Sequence, residues 1–432
     1  MNVFTATPSA NGVRGTPLVP GDKSISHRCV LLAARAEGTS TIRGLSSGDD
    51  VARTLRAAEF FGAGVRAIVP AATGAPSVEI DGGTGRLHEP VAVVDVGNSG
   101  TCIRLIAGWA SGVDGLTVLA GDESIAGRPM GRVVEPLREM GARIDGRSGG
   151  SLPPLVIRGG SLHGIDYRLP VPSAQVKGAL LLAGISAEGA TTVREEVGTR
   201  THTEELLALA GADLDVTPGA VTVRRSKLTP FEVTVPADPS QAAFWVVAAC
   251  VTPGSDVTLP NVYVGPARAG FLDVLRRMGA DIELAEEDPT ASTATIRARH
   301  SALRATEVGG DEVPALIDEI PVLAVAAAYA EGTTTFSGAA ELRVKETDRV
   351  ETMVAALRAI GANVEPLPDG LVVDGRGGNP LDGGRVQSAG DHRVAMSLAV
   401  AALASKDPVI VDGWNAVATS YPGFEDEYQR CT

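Results

Sequence analysis

Lysine, serine, histidine and arginine side chains are concentrated in the stretch PGDKSISHR, residues 20–28. An apolar run typical of a helix follows at once, so Lys23 and Arg28 fall at or near a helix start. A cation there opposes the helix dipole, whereas an anion is favoured at that end. Lys23, Ser24 and Arg28 therefore indicate a bound anion, held by backbone N–H groups and positive side chains.

Further cations, together with His392 and the carboxylate of Glu346, occur at helix starts and in loops further along the chain. They stand in TCIRL, AGRPM, LRVKETDR and GDHR: Arg104, Arg128, Lys345, Glu346, Arg349, His392 and Arg393. Taken singly, each has an ordinary alternative, because such residues also form helix caps, self-paired surface charge runs or exposed loop arginines. Their recurrence at equivalent points of a repeat favours anion binding.

That repeat has six copies, each a polar opening, a helix rich in small apolar residues, a glycine and a β-branched strand. The copies lie 65 to 80 residues apart and begin at Lys23, Asn98, Ser173, Asp238, Asp318 and Asp391. A second helix in the repeat ends in Gly-Ala or a close variant before another strand. Glycine suits the left-handed conformation that ends a helix, and it stands at Gly62, Gly141, Gly211, Gly279 and Gly361.

The sixth copy ends before its last strand, and a strand-like segment, VRGTPLVPG, precedes the first copy. We therefore expect the N-terminal segment to complete the last group of repeats. This predicts an α/β fold with two three-unit domains: residues 21–236, and a discontinuous domain of residues 1–20 with 237–432. The chain would cross between them twice, which is a natural hinge.

Composition narrows the class of protein. The 432 residues are 44% hydrophobic and carry a formal net charge of −14, which argues against nucleic-acid and membrane-surface partners because both select basic patches. The four cysteines are far apart and are expected to be reduced core residues. The N-terminus resembles no signal peptide and no apolar run is long enough to span a membrane, so we expect a cytoplasmic protein.

Two familiar sites are excluded by spacing. GTPLVPGDKS approximates a nucleotide phosphate loop, but five residues separate Gly15 from Gly21, and Asp22 stands where it would repel phosphate. The six histidines show no paired metal-ligand spacing, so no metal is expected.

The motifs together resemble one family. PGDKSISHR, GNSGT, GRPM, SAQVK, TRTHTE, DEIPVLAVAAA, RVKETDR and GDHR follow the order and spacing of the 5-enolpyruvylshikimate-3-phosphate synthases, from about Thr16 to Phe424. The resemblance implies two domains, each of three βαβαββ units in an inside-out barrel-like arrangement, that close on the substrates. It implies transfer of the enolpyruvyl group of phosphoenolpyruvate to the 5-hydroxyl of shikimate 3-phosphate, without a cofactor, by a monomer of chorismate and aromatic amino acid biosynthesis.

The resemblance also implies roles for residues of this chain. Asp318 is similar to the base near the 5-hydroxyl, Glu346 to the acid that protonates the methylene carbon, and Lys23 is catalytic as well. Residues implied at shikimate 3-phosphate are Lys23, Ser24, Arg28, Ser173, Ala174, Gln175, Arg200, Asp318 and Lys345. Residues implied at phosphoenolpyruvate are Lys23, Gly100, Arg128, Gln175, Arg349 and Arg393, with Asn98, Thr101 and His392 in support.

The sequence departs from the family pattern in two respects, and it disfavours two alternative functions. Many relatives carry a phosphoenolpyruvate-contacting lysine before a Thr-Phe-Pro segment, where this chain reads AVATSYPGF. SAQ and TRTHTE differ from the Ser-Ser-Gln and tyrosine-bearing stretches of other members, while Gly100 predicts inhibition by glyphosate. The sibling enzyme acting on UDP-N-acetylglucosamine is disfavoured because it has Lys-Asn where this chain has Lys23-Ser24. A non-catalytic anion-binding protein is disfavoured by the carboxylates of Asp318 and Glu346.

Overall fold

The computed structural model describes residues 2–68 and 76–432. The chain forms two compact units, one of Gly21–Val235 and one that combines Met1–Pro20 with Pro236–Thr432. The four cysteines are free and buried. Among the described helices, none combines the length and apolar character needed to cross a membrane.

Two strands precede Gly21, namely β1 (Val3–Ala6) and β2 (Arg14–Gly15). The unit Gly21–Val235 contains α1 (Lys23–Arg35), β3 (Gly38–Arg43), α2 (Asp49–Phe60), β4 (Gly64–Ile68), β5 (Ser77–Gly82), β6 (Val94–Asp95), α3 (Gly100–Ser111), β7 (Gly115–Ala120), α4 (Glu123–Ala126), α5 (Gly131–Glu139), β8 (Arg143–Arg147), β9 (Leu152–Gly159), β10 (Asp166–Arg168), α6 (Ala174–Gly184), β11 (Ala190–Arg194), α7 (His202–Leu209), β12 (Leu214–Thr217), β13 (Ala220–Arg224) and β14 (Glu232–Thr234).

The chain after Pro236 contains α8 (Pro239–Val251), β15 (Asp256–Tyr263), α9 (Gly270–Arg277), β16 (Asp281–Asp288), β17 (Thr293–Arg299), β18 (Glu307–Val308), α10 (Ile320–Tyr329), β19 (Glu331–Phe336), α11 (Arg349–Ala359), β20 (Asn363–Leu367), β21 (Gly370–Arg376), β22 (Gly384–Gln387), α12 (His392–Ala402), β23 (Val409–Asp412) and α13 (Phe424–Cys431). Short 3₁₀ turns cover Ser148–Gly150, Gly310–Ala315, Ala340–Val344 and Trp414–Thr419.

Each repeat forms its own small sheet, and the sheets share one topology. A parallel pair is extended by antiparallel strands in the orders β14-β3-β5-β4, β6-β7-β9-β8, β10-β11-β13-β12, β2-β15-β17-β16 and β18-β19-β21-β20. The sixth sheet has three strands, β22-β23-β1. The two-domain α/β fold expected from the repeats is confirmed.

The strand that precedes each crossing pairs within the unit that the chain is about to leave. β2 immediately precedes α1 in sequence but pairs with β15, while β14 precedes α8 but pairs with β3. The N-terminal segment does complete the last sheet, through β1, which pairs antiparallel with β23. The expected strand VRGTPLVPG was wrong in extent, because only Arg14–Gly15 is extended and pairs with β15. Its prolines, Pro17 and Pro20, cannot donate to a sheet.

The first helix of each repeat lies in the core, and its N-terminus carries the polar opening. In α8 and α10 every residue is buried, as expected for helices that are apolar all round. Five of these six helices are capped by side chains, those of Asp22, Ser99, Ser173, Asp238 and Asp391. Among the described residues no side chain caps the sixth, α10. The recurrent glycines adopt the predicted left-handed conformation, with φ of 102° at Gly62 and 88° at Gly361.

Candidate active site

Lys23 is the first residue of α1, and its charge is matched by a residue of α2. Asp22 accepts the Ile25 N–H at 2.8 Å and so caps the helix. The Lys23 ammonium lies 2.9 Å from Asp50 Oδ2, and the Asp50 side chain is nearly buried. The opposition between this cation and the helix dipole is therefore offset by a carboxylate that the PGDKSISHR stretch alone does not reveal.

Arg28 connects three segments of the Gly21–Val235 unit from a buried position. Its Nε donates to Thr203 Oγ1 at 2.6 Å, Nη1 to the Ser24 carbonyl at 2.9 Å and Nη2 to the Ala174 carbonyl at 3.3 Å. Burial lowers the pKa of Arg28 to about 10, partly opposed by Glu204. The guanidinium thus stays protonated near neutral pH while it joins α1, α6 and α7.

Arg200 reaches the same place from the loop before α7. Its Nη1 donates to Ser24 Oγ at 3.3 Å. Ser173 precedes Ala174 directly and caps α6 by accepting the Val176 N–H at 3.3 Å. The structure thus places the predicted residues Lys23, Ser24, Arg28, Ser173, Ala174 and Arg200 around the N-termini of α1 and α6.

Gln175 links this group to the start of α3. Its Oε1 accepts a hydrogen bond from Arg104 Nη1 at 2.8 Å, and its Nε2 donates to Thr101 Oγ1 at 3.0 Å. Arg104 also donates to the Gly100 carbonyl at 3.1 Å. Asn98 is half-buried just before this helix. Arg104 is therefore the residue that fixes the amide orientation of Gln175.

Gly100 lies where two guanidinium groups approach the backbone. A Cβ at this position would stand 2.6 Å from Arg128 Nη1 and 2.9 Å from Arg104 Nη1. Arg128 is buried, and its Nη2 is 3.5 Å from Ser124 Oγ. The absent side chain of Gly100 therefore allows the guanidinium of Arg128 to lie against the N-terminus of α3.

The second cluster belongs to the unit completed by Pro236–Thr432 and centres on Asp318. Its Oδ1 is 3.3 Å from Lys345 Nζ and 3.4 Å from Arg349 Nη1. Burial lowers the pKa of Lys345, with Asp318 opposing that change. Lys345 and Arg349 together place two positive charges beside one carboxylate.

Arg349 is also bound to two further carboxylates. Its Nε donates to Asp391 Oδ2 at 2.7 Å, and its Nη2 lies 2.5 Å from Glu346 Oε2. Burial alone would lower the pKa of Arg349, but Asp391, Glu346 and Asp318 together raise it above its ordinary value. Glu346 and Asp318 are consequently held by the same permanently charged guanidinium.

Arg393 and His392 occupy the first turn of α12. Arg393 Nη1 donates to the Asp318 carbonyl at 3.0 Å and lies 3.5 Å from Glu319 Oε1, while Nη2 is 3.8 Å from Asp318 Oδ2. His392 is buried. Asp391 accepts the Arg393 N–H at 2.9 Å, so it caps α12 and binds Arg349 at once.

Within each unit the predicted residues are brought together. One set comprises Lys23, Ser24, Arg28, Asn98, Gly100, Thr101, Arg128, Ser173, Ala174, Gln175 and Arg200, and the other comprises Asp318, Lys345, Glu346, Arg349, His392 and Arg393. Sequence reasoning missed the side chains that hold them, chiefly Asp50, Thr203, Glu319 and the second role of Asp391. Asp50 had a weak signal in the polar SSGDD, whose last two residues begin α2.

Comparisons with known proteins identify the family of the chain. The family described as EPSP synthase (3-phosphoshikimate 1-carboxyvinyltransferase) matches residues 9–428. The chain is 47% identical to a 3-phosphoshikimate 1-carboxyvinyltransferase of Phenylobacterium zucineum, covering 96% of this chain and 92% of that protein. It is 48% identical to one of Synechococcus, covering 99% and 96%.

Among solved structures, an EPSP synthase from Acinetobacter baumannii is similar at 40% identity with a TM-score of 0.87, over 100% of this chain and 98% of that one. Together these similarities show that the chain belongs to the EPSP synthase (3-phosphoshikimate 1-carboxyvinyltransferase) family.

Proposed function

We propose that this protein transfers the enolpyruvyl group of phosphoenolpyruvate to the 5-hydroxyl of shikimate 3-phosphate. The 5-oxygen bonds to C2 while C3 gains a proton, which gives a tetrahedral intermediate. The C2–O bond to phosphate then breaks, and C3 loses a proton as the double bond re-forms. Family membership and the two sets of charged side chains support this reaction.

Cations near helix N-termini suit the two anionic substrates. We assign Lys23, Ser24, Arg28 and Arg200 to shikimate 3-phosphate, with Ser173, Ala174, Gln175 and Lys345. We assign Gly100, Arg128, Arg349 and Arg393 to phosphoenolpyruvate, with Lys23 and Gln175. Forked guanidinium donors match carboxylate and phosphate oxygens, and helix N-termini add oriented N–H groups.

The observation that carries the proposal is the sharing of Arg349 by two carboxylates, at 3.4 Å from Asp318 and 2.5 Å from Glu346. Addition needs a base at the 5-hydroxyl and an acid at C3 at the same time. We assign Asp318 as the base and Glu346 as the acid. A guanidinium held between them fixes their positions and keeps its own proton.

Phosphate release tests the proposal. The purified protein is expected to release phosphate only when shikimate 3-phosphate and phosphoenolpyruvate are both present, and not when UDP-N-acetylglucosamine replaces shikimate 3-phosphate. Asp318→Ala and Glu346→Ala should each lower kcat by about a hundredfold or more, as for loss of a general acid or base.

The matched control is Asp382→Ala, which removes a carboxylate whose partners are Lys406 and Arg376, outside the two sets of site residues. It should leave kcat unchanged. If the parent protein releases no phosphate, or if the Asp318 and Glu346 variants match Asp382→Ala, the proposed chemistry is wrong.

A further inference from the structure

A buried ion pair lies behind Asp318 and Arg393, and the proposed reaction does not use it. Arg268 stands between β15 and α9, and Glu319 is the residue after Asp318. Their side chains are 2% and 0% exposed, and Arg268 Nη1 is 3.6 Å from Glu319 Oε1. Burying both charges costs desolvation free energy, and an apolar pair of similar size is often at least as stable. The ion pair therefore points to a role other than stability.

Ser240, in the first turn of α8, connects the two charges. Arg268 Nη1 donates to Ser240 Oγ at 2.6 Å, and the Ser240 hydroxyl donates to Glu319 Oε1. Arg268 Nη2 donates to Asp238 Oδ1 at 2.7 Å, the same oxygen that accepts the Ser240 N–H. Arg268 is therefore anchored on the N-terminus of α8 and holds one oxygen of Glu319.

The Glu319 side chain does not cap the helix that follows it. Glu319 occupies the N-cap position of α10, yet its side chain makes no capping hydrogen bond there. Oε1 faces Arg393 Nη1 at 3.5 Å, and that same nitrogen donates to the Asp318 carbonyl at 3.0 Å. Oε2 is buried without a hydrogen-bond partner among the described residues, an arrangement that is unfavourable for stability alone.

We propose that Arg268, Ser240 and Glu319 form a positioning relay for the reaction proposed above. Arg268 and Ser240 fix the Glu319 carboxylate, and Glu319 holds Nη1 of Arg393 against the Asp318 peptide. The guanidinium is thereby oriented with Nη2 on the side of the Asp318 carboxylate, 3.8 Å away. None of the three relay residues is assigned to substrate. The inference rests on the proposed roles of Arg393 and Asp318.

The relay predicts a specific kinetic change. Glu319→Gln keeps the shape but removes the charge that attracts Arg393, so KM for phosphoenolpyruvate should rise about tenfold through misplacement of Arg393. KM for shikimate 3-phosphate should change less than about twofold, because that substrate is assigned mainly to the other unit. Ser240→Ala, which keeps every charge, should also raise KM for phosphoenolpyruvate, but by less than about tenfold.

The control is Tyr329→Phe, at the opposite end of α10. It removes a buried hydrogen bond from Tyr329 to the Ala401 carbonyl, 2.6 Å long. This variant should lower the melting temperature while both KM values stay unchanged. Arg268→Lys, which retains the positive charge, should recover part of the phosphoenolpyruvate affinity that Arg268→Met loses.

Steady-state kinetics with each substrate varied, together with thermal unfolding, distinguish a positioning role of the relay from a purely structural one. A rise confined to KM for phosphoenolpyruvate in Glu319→Gln and Ser240→Ala supports the relay. If both variants lose thermal stability with unchanged KM values, as Tyr329→Phe should, the pair is structural only and the inference is overturned. Absence of activity in the parent protein would instead refute the proposed function, so the two failures are distinguishable.

Discussion

Arg349 Nε donates a hydrogen bond to Asp391 Oδ2 at 2.7 Å, while Asp391 Oδ1 accepts the backbone N–H of Arg393 at 2.9 Å. One buried carboxylate therefore fixes a guanidinium from α11 and begins helix α12. Both arginines are assigned to phosphoenolpyruvate. Asp391 thereby links the guanidinium of Arg349 to the backbone of Arg393.

Replacing Asp391 by Asn separates the two roles of the carboxylate. Asn is as good a helix cap as Asp, so α12 should remain, but Arg349 loses a buried counter-charge. We expect the free energy of unfolding to fall by about 3 kcal/mol and kcat/KM for phosphoenolpyruvate to fall about a hundredfold. Urea unfolding and steady-state kinetics measure these two quantities.

Asp348→Asn is the matched control for Asp391→Asn. Asp348 caps α11 by accepting the Val350 and Glu351 N–H groups at 3.1 Å, and its partner Arg343 is partly exposed. The substitution Asp348→Asn should lower the free energy of unfolding by less than about 1 kcal/mol, as expected for an exposed ion pair. Equal effects of the two substitutions on kcat/KM would show that the Asp391–Arg349 pair has no special role.

Gly100→Ala should weaken binding of phosphoenolpyruvate and of glyphosate together. The added Cβ would approach Arg128 Nη1 to 2.6 Å and force that guanidinium to move. We expect glyphosate to compete with phosphoenolpyruvate in the parent protein, and its inhibition constant to rise about tenfold or more in the variant. Initial-rate measurements at varied phosphoenolpyruvate and glyphosate give KM for phosphoenolpyruvate and the inhibition constant of glyphosate.

Gly127→Ala provides the comparison for Gly100→Ala. It adds a methyl group next to Arg128 in sequence, but the nearest atom to that Cβ is the Ser124 carbonyl oxygen at 3.9 Å. Its inhibition constant should equal that of the parent protein. An unchanged constant in Gly100→Ala would show that this glycine does not determine glyphosate sensitivity.

His27 should make the protein less stable as the solution becomes acidic. Burial, with added repulsion from Lys23 and Arg28, holds the pKa of His27 well below its usual 6.5. Below about pH 6.5 the unfolded chain therefore binds a proton that the folded protein does not, and stability falls by up to about 1.4 kcal/mol per pH unit. Above that pH the contribution is constant.

Urea unfolding at a series of pH values from 7 to 5 measures the effect of His27. The difference in unfolding free energy between the parent and His27→Asn should shrink as the pH falls, because only the parent loses this contribution. A difference that is independent of pH would contradict a buried, neutral His27.

Lys345 should set an alkaline limit on binding of shikimate 3-phosphate. Burial lowers the pKa of Lys345, so its ammonium is lost at a lower pH than that of an exposed lysine. Affinity for the anionic substrate should decline as the pH rises through this pKa. In Lys345→Arg the decline should disappear, since a guanidinium keeps its proton.

The pH profile of kcat/KM for shikimate 3-phosphate tests this assignment. Retention of the same alkaline limb in Lys345→Arg would assign that limb to another group. The acidic limb serves as an internal control, because the substitution leaves the carboxylates in place.

Much of the fold followed from local patterns. Helix caps such as Asp22 and Ser173 and the glycine at Gly62 lie next to the helices they begin or end, so short stretches of sequence predict them. The repeat then predicts the order of helices and strands. The length of β2 was overestimated because the prolines after Gly15 cannot pair.

The partners of the charged residues did not follow from local patterns. Lys23 pairs with Asp50 and Arg349 with Asp391. The partners are distant in sequence and meet because the helices that carry them begin close together. Tertiary packing, which no short motif encodes, brings these carboxylates together with the cations.

Deuterium incorporation at C3 tests whether Glu346 protonates phosphoenolpyruvate during addition. When the reaction runs in D₂O, the intermediate gains a deuteron at C3 and loses any one of its three methyl hydrogens on elimination. Nuclear magnetic resonance of the product should therefore show deuterium in the methylene group, and Glu346→Gln should lose this incorporation together with phosphate release. Product formed in D₂O without deuterium, or undiminished incorporation in Glu346→Gln, would contradict this role of Glu346.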